Sequence, residues 1–250
     1  MLTTERHNTI LNLLQDKQTI TLQDIIDKTN ASESTIRRDL SALENKGELT
    51  RIHGGATLTE RKRKEYSITE KSAKNIHEKR AIAKHAASFV NDGDCIFLDA
   101  GTTTLQLIPF LLDKDVAVVT NGLTHLDTFI ENDIQAYLTG GLIKPKTSAL
   151  IGPQAIQSLE HYRFDKCFLG VNGYHISYGY TTPDPEEAHV KYTASTLAKE
   201  TYVLADRAKY NQISFAKICN LPDAALVTSN LEENELQLLA ERTDVTEVST

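Results

Sequence analysis

No stretch of this 250-residue sequence approaches the roughly 18 consecutive apolar residues that a membrane span requires. The start, Met1-Leu2-Thr3-Thr4-Glu5-Arg6, lacks the charged-then-apolar plan of a secretory signal, so a cytoplasmic protein without a membrane partner is expected. Only three cysteines occur, Cys95, Cys167 and Cys219, and none sits in a C-x-x-C spacing. A disulfide framework and a zinc site both lose support, and the three read as small buried hydrophobes. The histidines are scattered without an H-E-x-x-H pattern, so no metal or other cofactor is expected. Biased tracts are missing as well. With 40% hydrophobic and 24% charged residues, the chain reads as globular, long enough for a small domain plus a medium one.

The net charge of −7 at first speaks against a polyanionic partner. The distribution reverses that reading. Residues 1–65 hold 11 Lys and Arg against 10 Asp and Glu (+1), and residues 66–250 hold 16 against 24 (−8). Within 34–64 the count is 8 against 4, which concentrates positive charge in one short region.

Local patterns give that region a shape. From Glu5, the apolar residues Ile10, Leu13 and Leu14 mark an amphipathic helix ending near Gln15 to Gln18. Thr21 and Asp24 have capping-box spacing, and Leu22, Ile25 and Ile26 line a short second helix to about Thr29. Asn30-Ala31 forms a turn, Ser32 caps a third helix with Ile36, Leu40 and Leu43 facing inward, and Gly47 suits its C-terminal stop. On the opposite face lie Ser34, Arg38 and Ser41, flanked by Thr35 and Arg37. Two helices followed by a third with a polar, cationic outer face is the helix-turn-helix plan for major-groove reading, in which arginine bonds guanine edges and hydroxyls bond bases or phosphates. Residues 48–58 alternate around Gly54-Gly55 and predict a two-stranded wing bearing Arg51 and His53. The basic run Arg61-Lys62-Arg63-Lys64 reads first as part of a linker over 59–77, with phosphate contact as the alternative.

The string Ser34-Thr35-Ile36-Arg37-Arg38-Asp39-Leu40, with Leu43-Glu44, Gly47, Leu49, Arg51 and His53-Gly54-Gly55-Ala56, closely resembles the signature of the DeoR family of bacterial repressors. That resemblance implies a winged helix-turn-helix over 1–58, double-stranded operator DNA as partner, and a homo-oligomer, dimer or tetramer, on repeated half-sites.

Residues 78–250 alternate between helical and strand patterns, which argues for a mainly parallel sheet covered by helices in a larger C-terminal α/β domain. Helices are expected at 80–90, 102–112, 123–131, 153–160, 187–199 and 232–242, and strands at 95–99, 116–120, 134–138, 166–171, 202–205 and 226–228. Ligands of such sheets gather at strand C-termini. Four motifs stand there: Asp99-Ala100-Gly101-Thr102-Thr103-Thr104, Thr120-Asn121-Gly122, Thr139-Gly140-Gly141 and Gly170-Val171-Asn172-Gly173. Asp206-Arg207-Ala208-Lys209 adds cations at a fifth strand end, and Lys209 is the phosphate ligand we expect. Glu187 and Lys191 allow two readings, a helix-supporting i,i+4 ion pair or a pair of sugar-binding groups.

This half also resembles the DeoR sensor domain, which is itself similar to ribose-5-phosphate isomerase. By that resemblance Gly101-Thr102-Thr103-Thr104 stands for the phosphate loop, Ala205 to Lys209 for the later lysine segment, and Glu186-Glu187 for the glutamate-bearing helix start. The isomerase's acidic strand-end motif falls on Gly170 to Gly173, where no carboxylate stands, and its catalytic lysine has no counterpart near Tyr178-Gly179-Tyr180. Proton transfer at a sugar carbon needs a placed acid and base, so catalysis is not expected. The expectation is a sugar-phosphate-responsive repressor, with fructose 1-phosphate the first effector suggested and tagatose, deoxyribose and glycerol phosphates open.

Overall fold

The computed structural model describes residues 2–17, 19–46, 48–58 and 65–249. They fall into two compact units, one within residues 1–61 and one within 62–250. The first contains helix α1 (Thr3–Lys17), strand β1 (Thr19–Thr21), helices α2 (Leu22–Thr29) and α3 (Glu33–Asn45), and strands β2 (Leu49–Ile52) and β3 (Gly55–Leu58). Ile10, Leu14, Ile25, Ile36, Leu40 and Leu43 supply the helices' share of one core, closed by Ile20, Leu49 and Ala56 from the strands. Thr21 and Asp24 form a reciprocal capping box at the start of α2, and Asn30 ends that helix at φ 57°. The Ser32 hydroxyl accepts the Thr35 amide at the start of α3.

Arg6 of α1 donates from Nε and Nη2 to both oxygens of Asp39 on α3, the second bond at 3.0 Å, and His7 meets Asp39 at 3.1 Å. A carboxylate on the inner face of α3 is thereby matched with a guanidinium, and the two helices acquire a fixed register. The wing is larger than the predicted hairpin. Strand β1 pairs with β3, giving a three-stranded antiparallel sheet in the order β1-β3-β2. With three residues and a single buried position, β1 is too short to show in periodicity. A Cβ on Gly55 would stand 2.0 Å from the Ile20 carbonyl oxygen, so this strand pairing requires glycine there. Gly47, expected as the stop of α3, and the run Arg61 to Lys64 lie outside the described residues.

The second unit begins with α4 (Ile68–Ala73) and α5 (Ile76–Ala87). There follow β4 (Cys95–Leu98), α6 (Thr102–Leu105), β5 (Ala117–Thr120), α7 (Leu126–Glu131), β6 (Ala136–Leu138), β7 (Leu142–Lys144), β8 (Ala149–Ile151), α8 (Pro153–Glu160) and β9 (Phe164–Gly170). The chain ends through β10 (Gly173–His175), β11 (Gly179–Thr182), α9 (Pro185–Thr196), β12 (Ala198–Leu204), β13 (Ala216–Cys219), β14 (Ala225–Ser229), α10 (Glu233–Ala240) and β15 (Val245–Val248). Seven strands make one parallel sheet in the order β15-β14-β12-β9-β4-β5-β6. Side chains of its strands alternate between two cores: Phe97, Cys167 and Leu169 enter one, while Ile96, Leu98 and Phe168 enter the other.

Several expectations are corrected. The helix expected over 102–112 is only α6 and a one-turn 3-10 helix at Ile108–Phe110, because Pro109 has no amide to continue the ladder. The one expected over 123–131 starts as a 3-10 turn at Leu123–His125, and the one over 187–199 is α9. Strands β7, β8, β10, β11, β13 and β15 had no counterpart in the sequence reading; β7 and β8 form a hairpin, and β10, β11 and β13 a small antiparallel sheet. Cys95 is exposed, unlike Cys167 and Cys219, because it begins its strand. Residues 65–77, expected as linker, carry α4 and are bonded to the second unit: Glu65 to Lys144, the Ile68 amide to the Lys146 carbonyl, and Asn75 to Asp206.

Candidate functional site

In the first unit, the outer face of α3 holds the expected residues. Ser34, Arg37 and Arg38 are exposed, while Thr35 and Ser41 are half-buried. Ser34 and Thr35 hydroxyls both meet the capping Ser32 hydroxyl, at 3.1 and 2.9 Å. Arg37 folds back onto Glu33 one turn earlier, at 2.6 Å. Arg38 has no hydrogen-bond or ion-pair partner among the described residues and extends from the helix as a free cation. Arg51 of β2 donates to Ser41 at 2.7 Å, and Ser41 donates to the Arg37 carbonyl, so wing and helix form one polar surface. His53 is exposed at the wing tip, beside Gly54 at φ 80°.

In the second unit the sheet runs outward from β4 in two directions, toward β5 and β6 on one side and toward β9, β12, β14 and β15 on the other. The crevice beyond the C-termini of β4 and β9 is therefore the topological switch point, where open parallel sheets bind ligands. Asp99 stands there, fully buried. Its Oδ2 accepts the Gly170 amide at 2.9 Å and the Lys191 ammonium. Its Oδ1 is buried with no partner among the described residues.

Around Asp99 the expected residues divide into framework and open groups. Asn121 is framework: Oδ1 accepts the Ala100 amide and Nδ2 donates to the Leu150 carbonyl. Thr104 is framework too, bonded to the Asp99 carbonyl and the Gly101 amide. Gly101 lies over Gly170, and a Cβ on it would meet the Thr104 hydroxyl at 2.9 Å. Thr102 and Thr103 keep hydroxyls without a partner among the described residues. Asn172 accepts from Thr182, which also reaches Glu187 at 3.4 Å. An added Cβ on Gly140 would meet nothing within 4 Å, whereas one on Gly141, at φ 123°, would meet the Ile151 carbonyl oxygen at 2.5 Å and Ala155 at 3.0 Å. Beneath the loop, His125 is wholly buried between the Thr120 hydroxyl and the Gly101 carbonyl, and that burial lowers its pKa to about 4.

Glu187 and Lys191 do not form the i,i+4 pair. Lys191 reaches across to Asp99, and Glu187 takes Lys144 at 3.1 Å and Thr147 at 2.6 Å. Burial opposes the charge on Glu187, yet the fields of Lys191 and Lys144 and the Thr147 bond hold its pKa below the usual range. Lys144 also pairs with Glu65 at 2.7 Å and Asp184 at 2.8 Å, and these carboxylates overcome burial to raise its pKa.

Sequence reasoning missed one cation that acts on this group. Lys71 of α4 has no hydrogen-bond or ion-pair partner for its ammonium among the described residues. Burial lowers its pKa to about 8; Glu187 and Glu65 oppose that shift, and Lys209 and Lys191 add to it. Four charged side chains, from three parts of the chain, thus act on Lys71 at once. Lys79 of α5 donates to the Lys71 and Lys74 carbonyls, capping the end of α4 and fixing Lys71 in place. Lys209, in a one-turn helix at Arg207–Lys209, is half-buried and also lacks a partner among the described residues. Two surface cavities, about 330 Å³ beside Phe129 and Ile134 and about 250 Å³ beside His189 and Tyr192, include none of these groups.

Residues 6–62 match the family model of the DeoR-like helix-turn-helix domain, and residues 74–230 match that of the DeoR C-terminal sensor domain. The chain belongs to the DeoR family. It is 48% identical to the uncharacterized HTH-type transcriptional regulator FruR of Bacillus subtilis, over 98% of both chains. It is 36% identical to the lactose phosphotransferase system repressor of Staphylococcus aureus, over 92% of this chain and 93% of the relative. Among solved structures, ribose 5-phosphate isomerase A of Methanocaldococcus jannaschii aligns with a TM-score of 0.42 and 19% identity, over 55% of this chain and 56% of that one. This DeoR-family chain is a DNA-binding transcription regulator with an α/β sensor domain, and no described helix is long and apolar enough to cross a membrane.

Proposed function

We propose that this regulator is a cytoplasmic repressor of a sugar-catabolic operon, released from its operator when a phosphorylated sugar occupies the switch-point crevice of the second unit. The observation that carries the reading is a pair of ammonium groups without partners among the described residues, Lys71 and Lys209, in one charged cluster with Glu187 and Lys191, whose ion pair leads to the buried Asp99 with Oδ1 likewise unpartnered. Cations suit the phosphate, and Asp99 suits a sugar hydroxyl. Lys191 pairs with Asp99, Thr102 and Thr103 offer hydroxyls, and Glu187, Asn121, Asn172, Gly101 and Thr104 shape the floor. Gly140 and Gly141 belong to its outer rim in this proposal.

On DNA, Ser34, Thr35, Arg37, Arg38 and Ser41 face the major groove, and Arg51 and His53 meet the backbone or minor groove. A homo-oligomer places two such units on repeated half-sites. The crevice binds without turnover, since a sugar isomerisation needs a free acid and base at the reacting carbon and Glu187 is already bonded by Lys144 and Thr147. Fructose 1-phosphate is the first effector to test. Titration calorimetry with fructose 1-phosphate, tagatose 6-phosphate and glycerol phosphate tests the reading. One ligand binding to the wild type, with affinity lost in both Lys71→Ala and Lys209→Ala, is the expected result; no binding by any of them contradicts it.

A further inference from the structure

Glu65 is the most unusual carboxylate outside the expected site. Its side chain is only 8% exposed, one oxygen rests on Lys144 at 2.7 Å, and the other, Oε1, is buried without a partner among the described residues. Buried acceptors are nearly always bonded, and leaving one open is costly. Asp99 Oδ1 shows the same condition. The two carboxylates share neighbours: Lys144 joins Glu65 to Glu187, Lys191 joins Asp99, and the Lys71 ammonium feels Glu65, Glu187 and Lys191. One linked cluster of charges thus holds, among the described residues, two acceptors without partners and an ammonium without one.

Lys144 fixes the geometry. Its ammonium is ringed by Glu65, Asp184 and Glu187, so Oε2 of Glu65 is committed to Lys144, which leaves Oε1 as the open oxygen. The Ile68 amide, bonded to the Lys146 carbonyl, holds the backbone just after Glu65 against the same hairpin. Glu65 also lies four residues past Arg61, where the DNA-reading unit ends and the sensor unit begins.

We propose that Glu65 is an effector-binding and specificity residue, its Oε1 accepting a hydroxyl of the bound sugar phosphate, so that the ligand is held by the very segment leading to the DNA-reading unit. This rests on the sugar-phosphate reading above and deepens it. A ligand can bias the repressor only through contacts that differ between its states, and a contact on this segment is one that DNA binding can alter. Inorganic phosphate, which has no sugar hydroxyl, makes no use of Glu65.

The test compares fructose 1-phosphate, tagatose 6-phosphate and inorganic phosphate by calorimetry on the full-length wild type, Glu65→Ala and Glu65→Gln, with operator binding as the check on folding. The expected result is a loss of about tenfold or more in sugar-phosphate affinity in Glu65→Ala, a smaller loss in Glu65→Gln, and unchanged inorganic phosphate affinity. Wild-type preference for the sugar phosphate retained in both variants would overturn the proposal while leaving the sugar-phosphate reading intact. An equal loss for sugar phosphate and inorganic phosphate would overturn it too, since Glu65 would then only support the site. A wild type that binds neither sugar phosphate more tightly than inorganic phosphate removes the underlying reading, and the proposal with it.

Discussion

Replacing Lys71 by methionine changes how effector binding depends on pH, and the size of the change follows from the site. Burial lowers the Lys71 pKa to about 8 in the free protein, so its ammonium is largely charged at pH 7 and largely neutral at pH 9. A sugar phosphate is a dianion over this range, because its second pKa is about 6. Binding it beside Lys71 favours the charged form, raises that pKa, and takes up a proton at alkaline pH. Affinity scales with the charged fraction, which falls from about nine-tenths at pH 7 to about one-tenth at pH 9 for a pKa of about 8, or roughly tenfold. Calorimetry in buffers of differing ionisation enthalpy measures both the affinity and the protons taken up. Wild type should lose about tenfold between pH 7 and 9, and Lys71→Met should bind more weakly at pH 7 with that slope gone. A wild-type affinity flat across this range, or an unchanged slope in Lys71→Met, refutes the assignment of Lys71 to the phosphate.

Arg38→Ala should weaken operator binding by about 1–3 kcal/mol and relax base preference, and more so than Arg37→Ala, whose guanidinium must first leave Glu33; competition binding at fixed salt checks both. The neutral, buried His125 predicts acid sensitivity. Its folded pKa of about 4 lies below the unfolded 6.5, so its contribution is intact above pH 6.5 and declines as pH falls toward 4, by about 3 kcal/mol in all. Denaturant unfolding of wild type and His125→Gln across that window reads the difference, which vanishes if the histidine titrates normally. Gly55→Ala should unseat β1 from β3 and abolish operator binding, since its Cβ would lie 2.0 Å from a backbone oxygen; unaltered binding counts against the wing as described.

The sequence was most readable where a local rule governs. Thr21 with Asp24, Ser32 before α3, and the Ile36, Leu40, Leu43 stripe each fall within one or two helical turns, so spacing alone foretells them. Short strands such as β1 and β7 escaped because three residues carry no period and their pairing is decided by distant partners. The same holds for the site. Asp99 was foreseen from its strand end, but its partner Lys191 lies 92 residues away, and the nearer choice of Glu187 looked as good in one dimension. Lys71 and Glu65 stood in a stretch that read as linker. Only the docking of that stretch on Lys144, Lys146 and Asp206 turns a polar segment into a wall of the proposed site.

The central claim is that one crevice and one helix face are coupled, and fluorescence anisotropy tests it most directly. Labelled DNA from upstream of the protein's own gene and the neighbouring sugar genes would be titrated with the wild type at fixed salt, with and without each sugar phosphate. The account predicts tight binding to one such fragment, lost in Arg38→Ala, and weakened about 5- to 150-fold by a single sugar phosphate, the range of ordinary allosteric couplings. Tight binding that every sugar phosphate leaves unchanged contradicts it.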